Sequence, residues 1–254
     1  MKISIITVVY NSFNFIDNCL QSIVKQTHND IEHIVIDGGS TDGTLDVINK
    51  YRDNIATLIS EHDNGIYDAM NKGIKLARGE IIGILNSDDF YVNDIIIEKV
   101  VDTFKKYNVD SCYGDLIYVD KNDTNKVIMY WKSSQYKYGS FKYGWHPPHP
   151  TFFVKKEVYD KYGAFDTNFE ISADFELMLR FLEKYRITTI YLPEPIIKMR
   201  FGGVSNKNLK NIIKGNINCY RAFKKNSLTV PLFYFFYRLF PKAKQFFLKN
   251  HCFK

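Results

Sequence analysis

Apolar residues in the first hundred positions fall into short unbroken runs, separated by stretches where they recur three and four apart. Ile3–Val9, Ile31–Ile36, Ile55–Ser60 and Ile81–Leu85 are the runs. Rich in β-branched residues, they predict strands buried on both faces, as in a parallel sheet. Between the first two, Phe15/Ile16, Cys19/Leu20 and Ile23/Val24 predict a helix from Phe15 to Gln26 with one face on the sheet. A second helix is predicted through Tyr51, and Ile66, Met70, Gly73/Ile74 and Ala77 mark a third, stopped by Arg78-Gly79. Strands alternating with helices at this spacing predict an α/β fold, a mostly parallel sheet built from right-handed crossovers.

Every predicted strand runs out into polar residues: Tyr10 and Asn11, then Asp37 with Ser40 and Asp42, then Glu61 and Asp63, then Asp88 and Asp89. Topology puts these ends on one rim, where open α/β sheets bind ligands. The sharpest change is at Asn86-Ser87-Asp88-Asp89, directly after the apolar run. Adjacent carboxylates repel unless a cation lies beside them, and a hard divalent ion holding a phosphate suits them. On the other reading, one of the two aspartates caps a helix starting near Asn93.

Past Val109 the pattern changes. Asp110–Asp120 and Lys126–Trp131 predict a hairpin around Lys121-Asn122-Asp123. Trp145-His146-Pro147-Pro148-His149-Pro150 excludes a helix or a central strand, since three prolines interrupt it. A strand at Phe152–Val154, helices at Lys155–Lys161 and Asp174–Tyr185, and strands at Ile187–Leu192 and Ile196–Phe201 follow.

Composition adds two points. Of 254 residues, 45% are hydrophobic and 24% charged, the balance of a folded soluble protein. Four scattered cysteines with no CxxC pair speak against zinc; with a first strand that starts at Ile3, they lead us to expect a reduced cytoplasm rather than a disulfide framework. The net charge of +6 hides an asymmetry: residues 206–254 carry eleven Lys and Arg and no acid, while the first 205 hold 23 basic and 28 acidic residues. Leu228–Phe240 is mostly apolar but contains Pro231 and Arg238, and it falls short of the ~20 apolar residues of a membrane span. The aromatics of the whole tail, residues 206–254, interleaved with Lys and Arg, predict a segment lying on an anionic membrane surface, the alternative being a helical lid packed on the domain.

The segments ISIITVVYNS, VIDGGSTDGT, SEHDNGIYDAMNKGIKLARGEIIGILNSDDF, HPPHPTFF and ADFELMLRF stand in that order along roughly residues 1–205. Together they resemble the family 2 glycosyltransferases, in the branch that assembles bacterial capsule, exopolysaccharide and O-antigen chains. The resemblance implies the GT-A fold, a Rossmann-like sheet flanked by helices, here followed by a basic aromatic helical tail. It divides the chain into a nucleotide-sugar-binding half (1–110), an acceptor-binding and catalytic half (111–205) and a membrane-proximal extension (206–254). It implies an inverting, metal-dependent transfer from a UDP- or GDP-sugar to a saccharide, carried on a polyprenyl diphosphate, at the inner face of the cell membrane. No nucleic acid is involved.

By the same resemblance, Asp89 would be the ligand of Mn2+ or Mg2+, with Asp88 on the ribose or the metal shell. The chain near Thr7, Val9 and Asn11, with Asp37, would enclose base and ribose, and Asp174 would be the general base. Asp68 and Asn71, one helical turn apart, can face the donor rim together with Asp63 and Tyr67, or be plain surface polarity. The residue types suit the chemistry. A departing nucleoside diphosphate gains charge that a cation neutralises, and one carboxylate suffices to take the proton of an attacking hydroxyl.

The pattern departs from the family in three places: Gly38 replaces the second Asp of Asp-Asp-Gly-Ser, Met70 stands where many members have Arg, and Ala173 leaves Asp174 without a neighbouring Glu. A lone Asp at a helix start is also a natural N-cap. His146 and His149 could line the acceptor side, complete a metal shell, or be structural. Arg200 with Gly202 and Gly203 suggests a loop closing on the diphosphate. Two other functions use similar parts. A sugar nucleotidyltransferase would want a glycine-rich phosphate loop, and Thr7–Asn14 contains no glycine. A nucleic-acid-binding protein could use the basic tail, but the acidic rim repels phosphates without a metal.

Overall fold

The computed structural model describes residues 1–202 and 209–232, together with Tyr234 and Tyr237. The first third is the predicted alternation: β1 (Ile3–Val9), α1 (Ile16–Val24), β2 (Ile31–Asp37), α2 (Thr44–Asn49), β3 (Thr57–Ser60), α3 (Ile66–Leu76) and β4 (Ile81–Ile84). These four strands are parallel, and Val9, Asp37 and Ser60 stand in register at their C-terminal ends. The predicted rim therefore exists.

The chain continues through β5 (Phe90–Tyr91), α4 (Ile96–Tyr107), β6 (Ser111–Val119), β7 (Val127–Trp131), β8 (Phe153–Lys155), α5 (Lys156–Tyr162), α6 (Ala173–Leu179), β9 (Thr189–Arg200) and α7 (Leu209–Lys225). After Leu179 the sixth helix widens into a π-helical stretch, Arg180–Lys184. One sheet holds all nine strands, in the order β3-β2-β1-β4-β8-β6-β9-β5 with β7 beside β6. The hairpin of β6 and β7 is antiparallel as expected.

Two differences from the sequence expectation concern β9 and β5. The pair of strands expected after residue 187 is one strand, β9, although Pro193 and Pro195 lie within it. Proline cannot donate to a ladder, and the pairing with β6 slips on both sides of Asp115, opposite Pro195. The bulge absorbs the missing donors. The two-residue β5 was too short to read from pattern, and it reverses the chain after Asp89 onto β9.

Side chains alternate along β1, so the sheet has a core on each face. Ile6 and Val8 pack with Met70, Ile74, Phe175 and Phe223. Ile3, Ile5 and Val9 pack with Leu20, Ile23, Ile97 and Phe104. At Gly73 the helix lies so close to the sheet that an added Cβ would be 2.3 Å from Ile6 Cγ2. That proximity explains a glycine inside a helix, where it ordinarily costs stability.

The helix of the basic tail, α7, packs on α6 through Cys219, Ala222 and Phe223, all buried. Lys214 pairs with Glu170 and Lys225 with Asp166, and Asn226 donates to Glu176 Oε1 at 2.9 Å. This part of the tail is the packed lid. Gly203 and most of Leu228–Phe240 beyond Leu232 lie outside the described residues.

Candidate active site

Beyond β4 the chain makes a tight turn, the Asp89 N–H donating to the Asn86 carbonyl at 3.0 Å. Asp89 is fully buried. Its Oδ2 accepts from Asn86 Nδ2 at 3.1 Å, while Asp89 Oδ1 and Asn86 Oδ1 are both buried without a hydrogen-bond partner. Burial, then the charge of Asp88, pushes the Asp89 carboxyl well above the usual carboxylate range. Burial also raises Asp88, against the pull of Arg200 and Lys121.

Neither aspartate caps the next helix. The α4 helix begins at Ile96, and before it Asn93 Oδ1 accepts from the Ile95 N–H at 3.1 Å.

Arg200, at the end of β9, is 5% exposed and supports this turn. Its Nη1 donates to the Asp88 carbonyl at 2.6 Å and its Nη2 to Asn18 Oδ1 at 3.0 Å. The guanidinium lies 5.1 Å from the ring centres of both Phe15 and Phe90. Within the described residues Arg200 is an internal strut of the turn. A buried cation needs a partner for its charge, and the Asp88 carbonyl and Asn18 supply it. On the other side of the turn, Lys121 from the β6–β7 hairpin sits 5.2 Å over Phe15.

Asp37 is fully buried. Its two oxygens accept from the Ser60 hydroxyl at 2.6 Å, the Ser40 hydroxyl at 2.5 Å and the Gly39 N–H at 3.2 Å. The carboxylate shapes the 38–40 loop from within. Asn11, at φ 47°, ties that loop to its own: its Oδ1 accepts from the Thr41 N–H at 2.9 Å and its N–H donates to Ser40 Oγ at 2.8 Å. Thr7 is turned inward, its hydroxyl 3.0 Å from His33 Nε2, and Val9 is buried in the sheet. At Gly38 an added Cβ would lie 3.2 Å from Asp63 Oδ2, so the Asp63 carboxylate occupies the space beside the missing side chain.

Lys72 gathers the remaining acids of this end, 2.6 Å from Asp63, 2.7 Å from Glu61 and 3.9 Å from Asp68. Asp68 Oδ2 also accepts from the Asn64 N–H at 3.0 Å. Asn71 points elsewhere: its amide clamps the backbone of Phe165 in both directions at 2.9 Å.

Asp174 is the second residue of α6 and does not cap it. The N-cap is Ser172, at φ 75°, with no side-chain cap bond. Asp174 Oδ1 instead accepts from the Tyr67 hydroxyl at 3.1 Å. His149 lies nearby. Burial lowers this imidazole, with the charge of Asp174 acting the other way, and its ring meets Phe165 edge-on at 5.5 Å. His146 is packed among aromatics, 5.2 Å from Trp131 and 5.5 Å from Phe175. Among the described residues there is no group of three or more His, Cys, Asp or Glu that could hold an ion.

Tyr118 lies near the end of β6. After burial, the charges that raise its hydroxyl are those of Asp89 and Asp174. Ser134, Gln135, Lys137, Ser140, Tyr143 and Trp145 line a groove of about 430 Å³.

A nine-stranded sheet with a polar rim of this construction is that of the GT-A glycosyltransferases. The structure is similar to S. aureus TarS residues 1–349 in complex with UDP, at TM-score 0.70 and 18% identity, over 93% of this chain and 68% of that one. It is also similar to the mannosyltransferase PcManGT from Pyrobaculum calidifontis in complex with GDP-Man and Mn2+, at TM-score 0.65 and 18% identity, over 95% of this chain and 73% of that one. Of a longer S. aureus TarS chain it spans 37%.

The sequence model of the family described as Glycosyl transferase family 2 matches residues 4–163, and the chain belongs to that family. Among its relatives is a PGL/p-HBAD biosynthesis glycosyltransferase of Mycobacterium bovis, 29% identical over 80% of this chain and 78% of the relative. The protein is a glycosyltransferase.

Proposed function

We propose that this glycosyltransferase is metal-dependent and inverting, and that it moves a sugar from a UDP- or GDP-sugar onto a saccharide carried on a polyprenyl diphosphate, in cell-surface polysaccharide assembly. The observation that carries the reading is the pair of buried acceptors without partners, Asp89 Oδ1 and Asn86 Oδ1, just beyond β4 in a chain of this family.

The turn after β4 fits a divalent cation. Its donors are all oxygen, the choice of a hard ion, and Asp89 Oδ1 and Asn86 Oδ1 are buried with nothing to accept from. Asp89 would hold Mn2+ or Mg2+, with Asp88 and Asn86 beside it. Bound there, the ion supplies positive charge for the departing diphosphate. The structurally similar mannosyltransferase was solved with GDP-Man and Mn2+, which supports the choice of ion and donor class.

On the acceptor side, Asp174 takes the proton of the attacking hydroxyl while the new glycosidic bond forms and the bond to the diphosphate breaks. A single displacement inverts the anomeric centre, and no carboxylate nucleophile is needed. Asp37, Asn11 and Ser40 shape the loop that encloses base and ribose; Thr7 and Val9 contribute backbone, and Asp68 holds Lys72 at its edge. The groove lined by Gln135, Tyr143 and Trp145 receives the acceptor.

The tail meets the membrane with the outer face of α7, where Ile213 and Ile217 are about half exposed, and with Leu232, 89% exposed. No helix among the described residues is long and apolar enough to cross a membrane. Apolar side chains on a basic helix suit contact with anionic lipid headgroups.

The test is Asp174→Asn. Transfer should fall to a low residual rate while nucleotide binding is retained; loss of nucleotide binding would move Asp174 to the donor side and overturn its assignment as the base.

A further inference from the structure

The chemistry above leaves one feature of the site unused. Tyr67 reaches from α3 across 107 residues of sequence to donate its hydroxyl to Asp174 Oδ1 at 3.1 Å. Burial, then the negative charge of Asp174, raises this phenol well above its ordinary value, so it remains a donor.

The ring is held as firmly as the hydroxyl. It stacks on Phe165 at 5.4 Å with the planes 27° apart. Phe165 is in turn fixed by Asn71, whose amide donates to its carbonyl and accepts from its N–H, both at 2.9 Å. The segment leading into Phe165 is pinned as well: Arg180 donates to the carbonyls of Tyr162, Gly163 and Ala164. Tyr67 and Asn71 are four apart on one helix face, so α3 supplies both the phenol and the clamp behind it.

Asp174 is the second residue of α6, two positions past the N-cap Ser172, so its side chain is free to take a partner from another element. Asp174 does not cap α6 and meets Tyr67 instead. One oxygen is thereby committed to the phenol and the other is left for the acceptor. The other titratable groups facing Asp174 are His149, from the turn before β8, and Tyr118, from β6.

We propose that Tyr67 is the positioning residue of the catalytic base, holding Asp174 with one carboxylate oxygen presented to the acceptor hydroxyl, and that Asn71 secures it through Phe165. This rests on Asp174 being the base. It assigns to the Gly65–Gly79 segment a role in proton transfer at the acceptor, beyond its contacts at the donor rim.

A kinetic double-mutant cycle tests it. Y67F keeps the ring on Phe165 and removes only the hydroxyl. Nucleoside diphosphate release from a panel of UDP- and GDP-sugars, with water or saccharide as acceptor, should slow about ten- to hundredfold in Y67F, the scale of a misplaced catalytic group. Donor KM should stay unchanged, and Y67F should add nothing in a D174N background. Wild-type turnover in Y67F, an additive loss, or a raised donor KM would overturn the proposal.

D174N separates the two ideas. If it turns over normally, the base assignment falls and this inference with it; if it keeps only a low residual rate while Y67F is normal, only the inference falls. A second readout needs no substrate. In protein labelled with 13Cζ-tyrosine, the signal missing from Y67F should move in Asp174→Ala at neutral pH, and an unmoved signal would overturn the contact.

Discussion

Asp89→Asn should make the protein more stable and unable to bind its donor. In wild type, Asp89 is fully buried next to Asp88, and its Oδ1 accepts no hydrogen bond. An orphaned buried acceptor costs about 1–3 kcal/mol. Asparagine removes the charge and replaces one oxygen with a donor beside the equally orphaned Asn86 Oδ1. A recovery on the order of 1–2 kcal/mol would raise Tm by about 2–8 °C for a chain of this size. Since the folded protein raises the Asp89 carboxyl, it binds that proton more tightly than the unfolded chain does. Stability is therefore lost as pH climbs out of the carboxylate range, and the advantage of D89N grows toward neutral pH.

Ligand reverses the order. A nucleoside diphosphate with Mn2+ at a hundredfold excess over Kd stabilises wild type by about 2.7 kcal/mol, and D89N should gain nothing. Thermal denaturation with and without Mn2+ and nucleotide measures both effects. A D89N protein less stable than wild type without metal, or one still stabilised by nucleotide and Mn2+, would refute the reasoning.

Three further outcomes follow from the packing. Gly73→Ala places a Cβ 2.3 Å from Ile6 Cγ2, so α3 must shift and urea denaturation should show a loss of about 1–3 kcal/mol. Arg200→Lys gives up the planar fork that reaches both the Asp88 carbonyl and Asn18; metal-dependent nucleotide affinity should fall about tenfold by calorimetry, a drop to be compared with any loss in Tm. Ile213→Glu with Ile217→Glu should release the protein from anionic vesicles in sedimentation with its Tm unchanged. Truncation before α7 is not an equivalent test, because it strips Cys219, Ala222 and Phe223 from the core.

The sheet and its rim were legible because each apolar run ends at a polar cluster within a few residues. Local pattern carried that much. The contacts that organise the site join positions far apart in sequence: Tyr67 with Asp174, Asn71 with Phe165, Arg200 with the Asp88 carbonyl. No periodicity reports them. Asp37 and Thr7 show a related limit. Both residue types suit a binding rim, but register and alternation turn Asp37 onto Ser40 and Ser60 and Thr7 toward His33. The single β9 was hidden by its own prolines, which the bulge at Asp115 accommodates. The tail was legible as basic and aromatic, yet its packing depended on the apolar positions at 219, 222 and 223 finding the face of α6.

The central claim, a donor site built on Asp89 and a divalent ion, is tested most directly by titration calorimetry of UDP, GDP and CDP into wild type, with and without Mn2+. The account predicts that one nucleotide binds, that its binding depends on the metal, and that Asp89→Ala abolishes it. Binding that is indifferent to Mn2+, or no binding of any nucleotide, would contradict it.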